Sequence, residues 1–184
     1  MKLVSTCFLF LFGGLVLVGQ QMQFIGENQL DLPSNSEVNF PVAHYQLMDI
    51  ELANVYEQLN DAPQEFTRLL QKSKTTIQLP LPQGSWRSFK VIESSVMAPA
   101  LQARWPQLRT YRILDAEDQR FQGRLTLTPQ GITALYTSPF GEVLLEPFAT
   151  GQSRYHAVYY NHDVVLSADD LPQFACGYQP DEAE

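Results

Sequence analysis

Arg124-Leu125-Thr126-Leu127-Thr128-Pro129-Gln130-Gly131-Ile132-Thr133-Ala134-Leu135-Tyr136 decides the fold class, because apolar side chains alternate with polar ones on both sides of a Pro-x-Gly turn. The pattern then repeats. Ser138-Pro139-Phe140-Gly141 leads into Glu142-Val143-Leu144-Leu145, and both turns place Pro second and Gly fourth, which suits a type I turn. Three strands joined by two tight turns make an antiparallel meander.

Working outward, Tyr155 to Tyr160 reads as a further strand, with Tyr155, Ala157 and Tyr159 on one face and His156, Val158 and Tyr160 on the other. Upstream, Thr110 to Leu114 and Trp86 to Glu93 read as strands, as does the run holding Ile77, Leu79 and Leu81. Pro80 and Pro82 confine that last run to a sheet edge or mark its end, since proline cannot donate to a ladder. Pro99 to Trp105 suits a short helix with proline in its first turn. Further upstream the period changes to 3.6. Ile50, Leu52, Ala53, Val55, Tyr56 and Leu59 fall at helical spacing after Asp49 as N-cap, and a second short helix is expected over Gln64 to Lys72. The expected architecture is α+β, mainly β: a twisted antiparallel sheet or sandwich with one short inserted helix and an N-terminal helical segment.

The remaining boundaries follow from composition. Lys2 and the apolar run Leu3 to Val18 resemble a signal peptide, and the run is shorter than the ~20 residues of a membrane-spanning helix. Residues 1–19 are therefore expected to be a cleaved leader, giving a secreted, extracellular or cell-envelope location without stable membrane insertion. Residues 20–48 read as a polar linker around Asp31-Leu32-Pro33-Ser34-Asn35-Ser36, 49–168 as the domain, and 169–184 as a tail. The net charge of the 184 residues is −8, and no run of Lys or Arg occurs, so a nucleic-acid footprint is not expected. Of the two cysteines, Cys7 lies in the leader and Cys176 in the tail, which leaves no internal disulfide in the mature chain.

Several segments occur in a telling order. They are Leu59-Asn60-Asp61-Ala62-Pro63-Gln64-Glu65, the Leu79-Pro80-Leu81-Pro82-Gln83-Gly84 core of Ile77 to Gly84, and Phe89-Lys90-Val91-Ile92-Glu93-Ser94-Ser95-Val96-Met97-Ala98-Pro99. Leu101, Trp105-Pro106-Gln107-Leu108-Arg109-Thr110-Tyr111 and Leu127-Thr128-Pro129-Gln130-Gly131 follow. Together they resemble the propeptide region of secreted, reprolysin-like zinc metalloproteases of bacterial type, over roughly Ile50 to Tyr160. The resemblance implies a prodomain that assists folding of a following catalytic domain and keeps it latent. The implied partner is that zinc metalloprotease domain, in cis or in trans.

The catalytic signature of such proteases, His-Glu-x-x-His-x-x-Gly-x-x-His, supplies three imidazoles to zinc and a Glu as general base. It does not occur here, and His44, His156 and His162 are scattered, so the chain is not expected to be an enzyme. Zinc is expected only through a partner. Cys176-Gly177-Tyr178 resembles the Cys-Gly-Val core of a cysteine switch, although Phe174-Ala175 lacks the basic or proline residues often found upstream. A thiolate from Cys176, ~2.3 Å from a partner's zinc, would occupy the position of the nucleophilic water, with Gly177 permitting close approach. The chain is then either a prodomain separated from its enzyme or a solitary extracellular binding or adhesion module with the prodomain fold. Lesser candidates are a metal site from His156, His162 and Asp163, calcium at Glu117-Asp118 or Asp169-Asp170, a nucleophile at Ser94-Ser95, and an aromatic binding face from Trp86, Trp105, Tyr155, Tyr159 and Tyr160. Strand, loop and packing roles explain these residues more simply.

Overall fold

The computed structural model describes residues 22–34, 36–38 and 41–165. Nine strands form one antiparallel sheet: β1 (Met22–Ile25), β2 (Gln46–Ile50), β3 (Thr76–Pro80), β4 (Trp86–Glu93), β5 (Arg109–Asp115), β6 (Gln122–Thr128), β7 (Gly131–Ser138), β8 (Gly141–Pro147) and β9 (Tyr155–Tyr160). Their order is β1-β2-β9-β8-β7-β6-β5-β4-β3. The seven strands from β3 to β9 are a continuous meander. The N-terminal pair attaches to its far side, so the chain must cross the whole sheet between β2 and β3.

That crossing is made by the helix α1 (Leu52–Leu59), whose Val55 and Leu59 are buried while Leu52 and Tyr56 pack against the core. The sheet curls around this core. Phe24 of β1 lies 5.2 Å, centroid to centroid, from Trp86 of β4, although six strands separate them in the ladder. The Tyr136 hydroxyl of β7 likewise donates across the interior to the Pro80 carbonyl of β3. Side chains from every strand meet in one cluster that includes Met48, Ile77, Phe89, Tyr111, Leu125, Ile132, Val143 and Val158. At ~1.5–3 kcal/mol per fully buried large apolar side chain, this half-barrel interior is the main source of stability.

The two turns repeat one chemistry. Thr128 pairs with Gly131 and Ser138 with Gly141, and in each case the first hydroxyl donates to the glycine carbonyl and accepts a loop N–H. Gly131 and Gly141 have φ of 136° and 130°, where a side chain is strained. The expected strands over 86–93 and 155–160 match β4 and β9, and β3 is an edge strand that ends at Pro80, in keeping with its prolines.

The N-terminal expectations need correction. Among the described residues no α-helix precedes β1 and β2. Met22–Ile25 and Gln46–Ile50 are strands, and Asp49 is not an N-cap but a β2 residue whose carboxylate binds Arg154 at 2.7 and 2.6 Å. The helix is confined to Leu52–Leu59, and the second helix over 64–72 is replaced by a bridge from Gln64 to Glu93 and a 3-10 turn at Leu70–Lys72. Within the stretch read as a linker, described residues pack on the sheet. Ile25, Leu30, Leu32, Val42 and Tyr45 pack over Leu47, Phe148, Tyr155, Ala157 and Tyr159 on the outer face of β2 and β9. Both faces of β9 are therefore covered, which explains its near-continuous burial. Among the described residues no helix is long and apolar enough to cross a membrane.

Candidate functional site

Strand alternation puts Glu93 in the interior row of β4 with Phe89 and Val91, but at the end of that row, where it faces Tyr111 of β5. A carboxylate that is 8 % exposed needs partners. It has three donors: Arg109 Nε at 3.1 Å, Arg109 Nη2 at 2.7 Å and Gln64 Nε2 at 2.7 Å. The backbone of Glu93 is engaged as well. Its N–H donates to Pro63 and its carbonyl accepts from Glu65, so residues 63–65 lie alongside the end of β4 as a short parallel bridge.

From this hub the contacts spread to segments distant in sequence. Arg109 Nη2 reaches the Leu59 carbonyl at the end of α1, and the Tyr56 hydroxyl donates to the Gln107 carbonyl at 2.8 Å. Glu65 accepts from the Ser94 hydroxyl and from Arg112 Nη1, and these two partners hold its carboxyl below the usual range. Ser95 donates to Gln102 in the helix α2 (Pro99–Arg104), whose amide donates in turn to the Leu108 carbonyl. The segments 59–65, 89–99 and 105–111 are thereby locked together at one end of the half-barrel. The same segments and their immediate continuations expose apolar side chains: Phe66, Leu69, Val96, Leu101 and Trp105.

The other residues singled out in the sequence are dispersed. His156 points into the interior, where its Nε2 accepts the Ile132 N–H at 2.9 Å; this fixes the neutral tautomer with the proton on Nδ1, facing the Arg154 carbonyl at 3.3 Å. His162 instead stacks on Tyr160 at the surface, so His156 and His162 do not share a site. Among the described residues no group of three or more His, Cys, Asp or Glu side chains could hold a metal ion. Ser94 and Ser95 use their hydroxyls on Glu65 and Gln102. Asp118 is held by Arg120, and the Glu117 N–H donates to Asp115. The aromatic residues do not form one face: Trp86 packs on Phe24, Tyr155 and Tyr159 lie in the outer cluster, and Trp105 is half-exposed. Cys176, Gly177, Asp169 and Asp170 lie outside the described residues.

Burial pushes the His156 imidazole down to about 4, opposed only in part by its bond to the Arg154 carbonyl. Its folded value lies below the unfolded 6.5, so as pH falls the unfolded chain takes up the proton first. Stability is full above the unfolded value and is lost between it and the folded one. Urea denaturation should show a loss of about 2 kcal/mol between about pH 7 and pH 5, before most carboxylates titrate. His156→Gln, which keeps an acceptor for Ile132 but does not titrate, should flatten this dependence; an unchanged slope would assign it to other groups.

The Glu93 hub was missed in the sequence. A lone glutamate at the end of a strand carries no spacing signal, and its significance depends on Gln64 and Arg109 arriving from elsewhere. Compared with known proteins, the chain matches no family model, no curated protein and no solved structure.

Proposed function

We propose that this chain is a non-catalytic, prodomain-like protein that assists folding of, and keeps latent, a secreted zinc metalloprotease. The observation that carries this reading is the convergence of the resembling segments. Leu59–Glu65 is far in sequence from Phe89–Pro99 and Trp105–Tyr111, yet all three interlock around Glu93 at an end that exposes Phe66, Val96 and Trp105. Such an end gives a catalytic domain a preorganised surface, so little ordering cost accompanies binding. In this reading the leader directs the chain to the envelope or the exterior.

Latency would come from two contributions. The half-barrel end covers the catalytic domain, and Cys176 with Gly177 reaches the open fourth position of its zinc, where a thiolate excludes the attacking water. Metal binding favours the thiolate by lowering the thiol pKa. A tether between the two domains would raise the effective concentration to the order of mM.

The test is inhibition of a reprolysin-like catalytic domain by the purified chain under reducing conditions, with Cys176→Ala beside it. Wild-type inhibition that weakens about tenfold or more in the variant supports the thiolate contribution. Equal inhibition by both assigns latency to surface coverage. Failure of both to bind favours a second reading, a solitary extracellular binding or adhesion module, which is supported by a single interior cluster that takes residues from every strand.

A further inference from the structure

On the outer face of β4, β5 and β6, segment 65–71 stands off the sheet and leaves a cleft of about 470 Å3. Its floor is apolar. Leu70, Ile92 and Leu114 form a small buried cluster there, separate from the interior core. At the rim, Phe66 is 99 % exposed and has φ of 71°, a left-handed conformation that strains a residue with a side chain. Strain of this kind costs of order 1–3 kcal/mol and persists only where neighbours fix the backbone. Here Gln64 and Glu65 are anchored on Glu93 and Ser94, while the Thr67 N–H and hydroxyl return to the Gln64 carbonyl. The fold thus spends free energy to hold a phenyl ring in water beside a cleft.

The charge of this face is opposite to that of the chain. Arg112 and Arg124 are direct register partners on adjacent strands, a like-charge pairing that is unfavourable unless something neutralises it. Arg68 lines the cleft, and Lys90 stands on the same outer face of β4, with its ammonium donating to the Gln71 carbonyl. Among the described residues Glu65 is the single carboxylate in the cleft lining, and it is already engaged by Ser94 and Arg112. A cationic, apolar-floored cleft on a chain of net charge −8 suits an anionic occupant that also carries apolar side chains. Nucleic acid does not suit it: Glu65 stands among the cations and the overall field repels a dense phosphate chain.

We propose that this cleft docks an acidic, extended peptide segment of a partner protein. The carboxylates lie against Arg68, Arg112 and Arg124, and an apolar side chain packs on Phe66 and the Leu70–Ile92–Leu114 floor. The inference shares Phe66 with the latency reading but does not rest on it, and its test uses no protease. Fluorescence anisotropy of the full chain would compare a labelled peptide Asp-Glu-Leu-Asp-Phe-Glu with its counterpart Lys-Lys-Leu-Lys-Phe-Lys. The acidic peptide should bind, more weakly as salt rises from about 50 to about 300 mM, and the basic one should not. Arg68 and Arg124 are exposed, so the double variant Arg68→Glu/Arg124→Glu should keep its melting temperature while losing about tenfold or more in affinity. No binding of the acidic peptide, equal binding of the basic one, or undiminished binding by the folded variant would overturn the proposal.

Discussion

Glu93→Ala is expected to lower the stability of the folded chain by about 3–5 kcal/mol, the range for breaking a buried ion pair from one side. The reason is the group left behind. Arg109 is only 14 % exposed at its side chain, its guanidinium lies over the Tyr111 ring, and Glu93 takes two of its donors. Without Glu93 a buried cation loses its counter-charge and keeps only the Leu59 carbonyl at 3.4 Å, and the Gln64 amide loses its acceptor. For a domain of this size the melting temperature should fall by about 8–15 °C. The loss should be reported locally by faster amide exchange at residues 65 and 93, whose N–H groups donate to the Glu93 and Pro63 carbonyls. Arg109→Leu introduced into the same chain should recover a substantial part, because the double variant buries no unpaired charge. A single-variant loss under about 1 kcal/mol would show that Glu93 does not organise this end.

Asp115→Ala is expected to cost about 3–4 kcal/mol through a different arrangement at the other end of the same two strands. Asp115 is 2 % exposed, accepts from Arg87 Nε, and takes the N–H groups of Glu117 and Asp118 on Oδ1, each at 2.9 Å. Burial raises a carboxyl pKa, but here Arg87 and the two N–H groups outweigh it and hold the value below the usual range. A depressed carboxylate contributes stability that is present above its unfolded pKa and lost as pH falls through the folded one. Asp115→Asn separates the two roles: it keeps an oxygen for the turn and removes the charge opposite Arg87. Its cost should be about half that of alanine, and in acid its difference from wild type should shrink. Equal losses for the two variants at neutral pH would assign the whole effect to the ion pair.

Both carboxylates stand in sequence patterns that point elsewhere. Glu93 closes the run Trp86 to Glu93 and Asp115 closes Arg109 to Asp115, where a charged residue ordinarily marks the solvated end of a strand. Their burial arises because β4 and β5 pair in register, which carries Glu93 to Tyr111 and Phe89 to Asp115 on the inner face. The positions that receive Arg109 and Arg87 follow from the same register. No local spacing encodes it. The cleft on the opposite face was hidden for a related reason: helical spacing over Gln64 to Lys72 conceals a segment whose backbone is held by the sheet and turned left-handed at Phe66.

Sequence by itself determined the meander. Period-two alternation from Ile77 to Tyr160, Thr/Ser-Pro-x-Gly turns and prolines beside the first strand are local signals, and local hydrogen bonding and sterics respond to them directly. Met22–Ile25 and Gln46–Ile50 are a different case. Four or five residues with mixed polarity hold no strand alone, and they become strands because β9 offers Gln46 to Asp49 an unpaired edge and β2 then offers one to β1. The curl that brings Phe24 to Trp86, the burial of His156 and the gathering of three segments around Glu93 were likewise decided by tertiary structure. Each depends on pairings between residues tens of positions apart, whose free energy exists only once the whole sheet has formed.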